Sequence, residues 1–242
     1  MNHVPFKSLF ALTLVLFSTS CLTLLQPVDP AKQAALDARF AAKSESYGSK
    51  GAFKGPAAWA PGQFVTTGLT EQGVHKSIMR MAVVGKEGDG YIIEMLNEDV
   101  RGRTGQQMLV KGLDKLASGK SQDAAIEIVW MRVQDQNGQI QKMEGPMLNM
   151  MSMTMQGSLR KMFDLQSSQQ TGDGGTVQVP AGTFKGTTRI DAEVKIMGMT
   201  VKSTTFAHPS VPLNGMVRNV SSDGKTVTDL LDFGMSGAKP SF

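Results

Sequence analysis

Polar and apolar residues alternate along most of the chain from Gln63 onward, and the alternation predicts strands. Gln63–Thr70, Val74–Lys86 and Gly90–Arg101 are β-rich runs, separated by Gln72-Gly73 and by Glu87-Gly88-Asp89-Gly90, both hairpin-turn signals. In the second run Ser77, Met79, Met81 and Val83 share one face, with Lys76, Ile78, Arg80 and Ala82 on the other. In the third, Tyr91, Ile93 and Met95 oppose Glu94. Gln106–Gly112 and Ala125–Gln134 continue the series. In the latter, Val129, Met131 and Val133 fall on one side and Ile126, Ile128 and Trp130 on the other, before Asn137-Gly138 closes a further hairpin. A second block runs from Thr176 to Phe233. There Ile190, Ala192, Val194 and Ile196 alternate with Asp191, Glu193 and Lys195, and turns fall at Gly198, Pro212–Gly215 and Asp223-Gly224. Strands at intervals of about 8–12 residues with turn chemistry between them predict an antiparallel sheet of roughly eight to eleven strands.

Two segments follow a helical period instead. Asp29-Pro30 is an N-cap followed by proline at the first helical position. The alanine-rich stretch after it, with Leu36 and Phe40 on one side, predicts a helix to about Ser44. Tyr47 to Gly62 is rich in Gly, Pro, Ser and Ala and reads as a loop holding Trp59. Between the two β blocks, Pro146–Leu165 carries Leu148, Met151, Met155, Leu159 and Met162 at helical spacing, and Met147, Met150 and Met153 widen the apolar surface. This predicts a helix lying across the sheet.

The amino terminus has a different character. His3 and Lys7 precede an apolar run from Leu9 to Phe17, interrupted only by Thr13, and then the small residues Ser18-Thr19-Ser20 stand before Cys21. This is the pattern of a secretory signal. The 18 uncharged residues from Ser8 to Leu25 could also serve as an uncleaved anchor. Ser18-Thr19-Ser20-Cys21 resembles the lipobox of bacterial lipoproteins, in which the cysteine thiol receives diacylglycerol and cleavage occurs just before it. Ser18 and Ser20 equally suit ordinary signal peptidase, which would leave Cys21 with a free thiol. Acylation at Cys21 would give a stable membrane anchor, since each buried CH₂ contributes about 0.8 kcal/mol. By resemblance to enterobacterial sorting rules, Leu22 in the place of an Asp implies the outer membrane, with the domain facing the periplasm.

Composition narrows the chemistry. The chain has 242 residues, one cysteine and three histidines, so a disulfide framework and a cysteine-based zinc site are excluded. The 25 basic and 21 acidic residues leave a charge of +4 with no block of like charges, which is not a nucleic-acid footprint. No GxGxxG, P-loop, GxSxG or HExxH is present, and no acidic pair has acid–base spacing, so neither catalysis nor a cofactor is expected. His75 at a strand start and His208 beside Pro209 read as surface or loop histidines. The 17 methionines admit two readings. Thioethers are soft Cu(I) ligands, with Met150, Met151, Met153 and Met155 as the candidate tract. Methionine is also adaptable apolar filler suited to variable hydrophobic ligands. Its spread over strands and helix favours one Met-lined apolar interior.

The C-terminal third carries the most specific pattern. Val177 to Phe184 (VQVPAGTF), Val211 to Val217 (VPLNGMV) and Leu230 to Gly234 (LLDFG) resemble bacterial envelope proteins related to the outer-membrane lipoprotein carrier (LolA-like) superfamily, in particular its lipoprotein-sorting-like relatives. In that pattern VPAGTF opens a long hairpin, and VP-x-x-G-x-V precedes two closing strands. The resemblance implies a mainly β fold with helices (α+β), a curved antiparallel half-barrel with covering helices on its concave face, holding acyl chains or lipid.

The expected organisation is a signal peptide over 1–20, a tether, helix and loop over 21–62, a β domain over 63–235 with an inserted helix at about 146–165, and a tail over 236–242. Parity offers Met81, Val83, Ile93, Met95, Met131, Val133, Met151 and Met155 as the lining of a hydrophobic ligand site. The expected partners are a membrane, through the acylated N-terminus, and a lipid or lipoprotein ligand. The leading expectation is therefore a non-enzymatic, lipid-anchored envelope protein that binds a hydrophobic ligand. A structural or assembly lipoprotein with a filled interior is the alternative, and Cu(I) handling is a third.

Overall fold

The computed structural model describes residues 29–48, 50–55, 58–113, 127–145, 148, 170–196 and 199–242. Helix α1 spans Pro30–Ala38; the Asp29 carboxylate accepts the Ala31 N–H at 2.9 Å, and Pro30 occupies the first turn. The helix stops well short of Ser44. Its last amides tighten onto carbonyls three residues back, Arg39 on Leu36 and Phe40 on Asp37, both at 3.0 Å. Phe40 then stacks on His75 with ring centroids 3.7 Å apart. That tertiary contact overrides the helix propensity of the alanines that follow.

Twelve strands follow: β1 (Ser46–Tyr47), β2 (Phe64–Glu71), β3 (Val74–Glu87), β4 (Gly90–Asp99), β5 (Gly102–Lys111), β6 (Glu127–Gln134), β7 (Ile140–Met143), β8 (Gln170–Val179), β9 (Gly182–Ile196), β10 (Met199–Ala207), β11 (Met216–Ser221) and β12 (Thr226–Gly234). They form one open sheet in the order β1-β9-β10-β11-β12-β2-β3-β4-β5-β6-β7, with β8 on the other side of β9. Every pairing is antiparallel except the short β1, which runs parallel to the start of β9. The closing step is β12 against β2, Phe233 opposite Val65, which joins the two sequence blocks. The β8–β9 turn falls within the VPAGTF segment, and β12 ends on LLDFG.

Several extra residues break the strict alternation. Register shifts leave Val84, Val129 and Leu231 without a partner on the neighbouring strand. At Val129 the consequence is a correction: Ile128 lies with Met131 in the main core, not with Trp130, because parity inverts across the bulge. Leu230 and Phe233, three positions apart, likewise both serve the main core across the extra Leu231, which faces the opposite cluster.

The main core covers one face and gathers Val65, Val83, Ile93, Met108, Val110, Met131, Phe184, Val217 and Leu230. The β8–β9 hairpin bends back to share it: the Ala181 N–H donates to the Leu230 carbonyl at 3.0 Å, and Val177, Val179 and Phe184 enter the same cluster. Val211 and Leu213 from the turn before β11 are buried there too. On the opposite face a small cluster of Leu36, Ile78 and Leu231 seats α1, with Phe40 packed against it.

The expected half-barrel with covering helices on its concave face is therefore corrected. The chain builds an open twelve-stranded sheet, and α1, the only helix with described bounds, is nine residues long and packs on the face opposite the main core. The apolar face is covered instead by the bent β8–β9 hairpin and by loop residues such as Trp59. Of the helix expected over 146–165, only Leu148 falls among the described residues, where it is buried in the main core. Cys21 and the segment before Asp29 also lie outside the described residues.

Candidate functional site

The register brings six of the eight expected lining residues onto one face. Met81 sits opposite Met95, Val83 opposite Ile93, and Ile93 opposite Met108; Met108 in turn faces Met131 across the next strand pair. Val83, Ile93 and Met131 are buried core, and Met81, Met95 and Val133 pack against them half-buried. Met151 and Met155 lie outside the described residues, as do Met150 and Met153 of the Cu(I) reading. The sulfur and aliphatic groups brought together fill one another's contact surface. Val83 is 0% and Met131 1% exposed, so at these two positions the face is closed by protein.

The opposite face holds a polar arrangement that pattern reading passed over. Glu94 is wholly buried, at 0% exposure, between Ala82 on β3 and Gln107 on β5. Both carboxylate oxygens are saturated. Oε1 accepts from Arg80 Nη1 at 3.3 Å and from the Ser241 hydroxyl at 2.8 Å. Oε2 accepts from Gln107 Nε2 at 2.9 Å and from the Ser241 backbone N–H at 2.7 Å. Gln107 also donates to the Phe242 carbonyl at 2.7 Å. A buried carboxylate needs such donors, since burial without them would cost several kcal/mol. The segment 236–242 is consequently a strap, its start held by the Ala238 N–H on the Gly62 carbonyl at 2.9 Å. Phe242 lies directly over Gly105, where a Cβ would stand 2.6 Å from the ring, so only glycine permits this approach.

Beside the strap opens a cavity of about 260 Å³ lined by Arg39, Ile78, Arg80, Leu96, Glu98, Arg103, Lys239 and Ser241. Cross-strand register assembles it. Ile78 faces Glu98 and Glu98 faces Arg103, while Arg80 faces Leu96 in the next row. Arg39, the residue that caps α1, donates to Glu98 at 3.1 Å. Arg80 is fixed from two sides, by Glu94 and by the Phe64 ring 5.1 Å below its guanidinium. Arg103 and Lys239 have no ion pair among the described residues. One signal for this site was present in the sequence: Glu94 stands between Ile92 and Leu96 on its own face, an acid inside an apolar row.

The two described histidines are both engaged. His208, expected at the surface or in a loop, lies in a loop but is fully buried, edge-on to Phe184. Its Nε2 bonds to the Gly48 carbonyl and its Nδ1 accepts the Ser210 N–H, both at 3.2 Å, which sets a neutral ring. Burial pushes its pKa below the usual histidine value, partly opposed by hydrogen bonds to the Gly48 and Lys185 backbone. His75 pairs with Asp37 at 2.9 Å on the partly exposed face of α1. Hydrogen bonds from Gln33 and then His75 hold the Asp37 carboxyl below the ordinary range. Among the described residues no three His, Cys, Asp or Glu side chains converge as a metal site would require.

No protein-family model matches the chain, and no curated protein matches it. Solved structures give distant likenesses. A candidate exported protein with a YmcC-like fold from Bacteroides fragilis matches at 10% identity over 74% of this chain and 99% of its own, with a TM-score of 0.35. A candidate lipoprotein from Parabacteroides distasonis matches at 11% identity over 73% of this chain and 97% of its own, with a TM-score of 0.34. PNGF-II matches at 12% identity over 75% of this chain and 29% of its own, with a TM-score of 0.28. Likenesses this distant carry no argument about what the chain does.

Proposed function

We propose that this protein is a non-catalytic, lipid-anchored scaffold of the bacterial cell envelope, held at the membrane through an acylated Cys21. The observation that carries the scaffold reading is the filled apolar face: Val83, Met131, Phe184, Val217 and Leu230 are each at most 1% exposed and close-packed on one another. A face packed this way is a structural core, and the methionines within it act as filler. The anchor reading rests on the sequence: an apolar run, small residues and the chain's single cysteine at their junction. By the same sorting resemblance, Leu22 favours the outer membrane with the domain in the periplasm.

A second reading retains a hydrophobic ligand. Met81, Met95, Val133 and Met143 stay half-buried at the edge of the core, and an acyl chain laid there would complete their burial.

The test of the anchor is metabolic labelling with palmitate followed by membrane fractionation. The wild-type chain takes up label and sediments with membranes, and Cys21→Ser abolishes the labelling. Label retained in Cys21→Ser, or none in the wild type, overturns the anchor.

A further inference from the structure

We infer that the cavity between α1, strands β3–β5 and the C-terminal strap is a binding site for a phosphate-bearing anion. Its charge points to this. Four cations line it: Arg39, Arg80, Arg103 and Lys239. Two carboxylates answer two of them, Glu98 to Arg39 and the buried Glu94 to Arg80. Among the described residues Arg103 and Lys239 have no acidic partner, so the described lining carries two positive charges in excess, matching a phosphate group of one or two negative charges.

The site is also built in advance. Arg80 is clamped between Glu94 and the Phe64 ring, Lys239 is brought in by a strap that Glu94 fastens through Ser241, and Arg39 forms an exposed ion pair with Glu98 at the rim. Guanidinium groups held in fixed positions suit planar, paired contacts to phosphate oxygens. Ile78 and Leu96 give the cavity an apolar floor beside the cations, which suits a phosphate carried on a partly apolar body.

Position favours a lipid headgroup over a free ion, and here the inference rests on the proposed anchor. The chain from Cys21 to Pro30 spans at most ~30 Å when fully extended. Helix α1 adds only about 13 Å before Arg39. A domain tethered at Cys21 therefore keeps this cavity within reach of the anionic surface to which it is anchored.

The test uses the processed chain with Cys21→Ser, so that no acyl group holds it to the bilayer. Binding is measured to phosphatidylcholine vesicles with and without phosphatidylglycerol, and separately to inorganic phosphate. Arg103→Gln with Lys239→Gln removes the two unpaired cations and leaves the Glu94 network whole. Lys54→Gln with Lys185→Gln is the control, with the same net charge and no part in the cavity. Binding to phosphatidylglycerol vesicles that falls about 30-fold in the first double variant, about five-fold per charge, and not in the control, supports the headgroup as the source. Saturable phosphate binding without vesicle binding, lost in the same variant, supports the phosphate site with a free anion as its source. If neither probe binds, or if the control loses as much as the cavity variant, the site is overturned. Palmitate labelling is independent of these titrations, so failure of the cavity and failure of the anchor are separable.

Discussion

Removing the Glu94 carboxylate should detach the strap and expose how much stability a single buried acid contributes. In Glu94→Ala four donors lose their acceptor: Arg80 Nη1, the Ser241 hydroxyl, Gln107 Nε2 and the Ser241 N–H. Breaking a buried ion pair from one side costs roughly 3–5 kcal/mol. Arg80 retains 25% exposure and can be partly resolvated, which puts the expectation at the lower end, about 3 kcal/mol. Glu94→Gln separates charge from shape. Its carbonyl can replace one carboxylate oxygen, but its NH₂ then faces two former donors. With the NH₂ at the Oε1 position, the Ser241 hydroxyl can turn to accept while Arg80 is orphaned, for a cost of about 1–2 kcal/mol. Urea unfolding of the processed chain measures both values. Hydrogen exchange at the Ser241 amide reports the strap directly, and protection there should be lost in Glu94→Ala. A cost below about 1 kcal/mol with the Ser241 amide still protected would refute the reasoning.

The other predictions concern pH and the seating of α1. The folded pKa of His208 is lowered, so the unfolded chain binds the extra proton first as pH falls. Its contribution is fully present above the unfolded value of about 6.5 and declines below it, by no more than about 1.4 kcal/mol per pH unit. Urea midpoints across this range should show a slope that His208→Gln reduces; an unchanged slope contradicts the assignment. In Gly68→Ala the new Cβ would stand 2.3 Å from the Phe40 ring, displacing it from His75 and costing about 1–3 kcal/mol. Combining it with Phe40→Ala should cost less than the sum of the two single changes, and strict additivity would show that the contact does not exist.

The long central strands were legible because they bury at least one face, which writes apolar side chains into the sequence at a period of two. The run Val74–Lys86 matches β3 to within one residue, and Met81, Val83, Ile93, Met95, Met131 and Val133 do share a face. Parity failed where a strand carries an extra residue. Nothing in Ile128-Val129-Trp130 marks Val129 as the bulge that moves Ile128 into the core. Helix α1 ends short of its alanine-rich stretch because alanine propensity is local, while the stacking of Phe40 on His75 and its packing over Gly68 are tertiary. The covering helices came from family resemblance, and the β8–β9 hairpin occupies the apolar face through contacts that no local pattern encodes. The same separation hid the cavity. Glu94 and Ser241 lie 147 positions apart, and the segment 236–242 looks like an ordinary polar tail until Glu94 is known to be buried beneath it.

The central claim is that the apolar face is a filled core that takes up no lipid, the proposed acyl groups at Cys21 being carried on the tether outside it. Native mass spectrometry of the acylated protein, gently extracted from membranes, tests it most directly when the chain carries Arg103→Gln and Lys239→Gln, so that headgroup binding at the strap cavity is removed. The account predicts a mass equal to the processed polypeptide plus its N-terminal acyl groups. A further lipid that persists in this variant and is lost when Met81 and Met95 are replaced by glutamine would place a ligand against the core face and contradict the account.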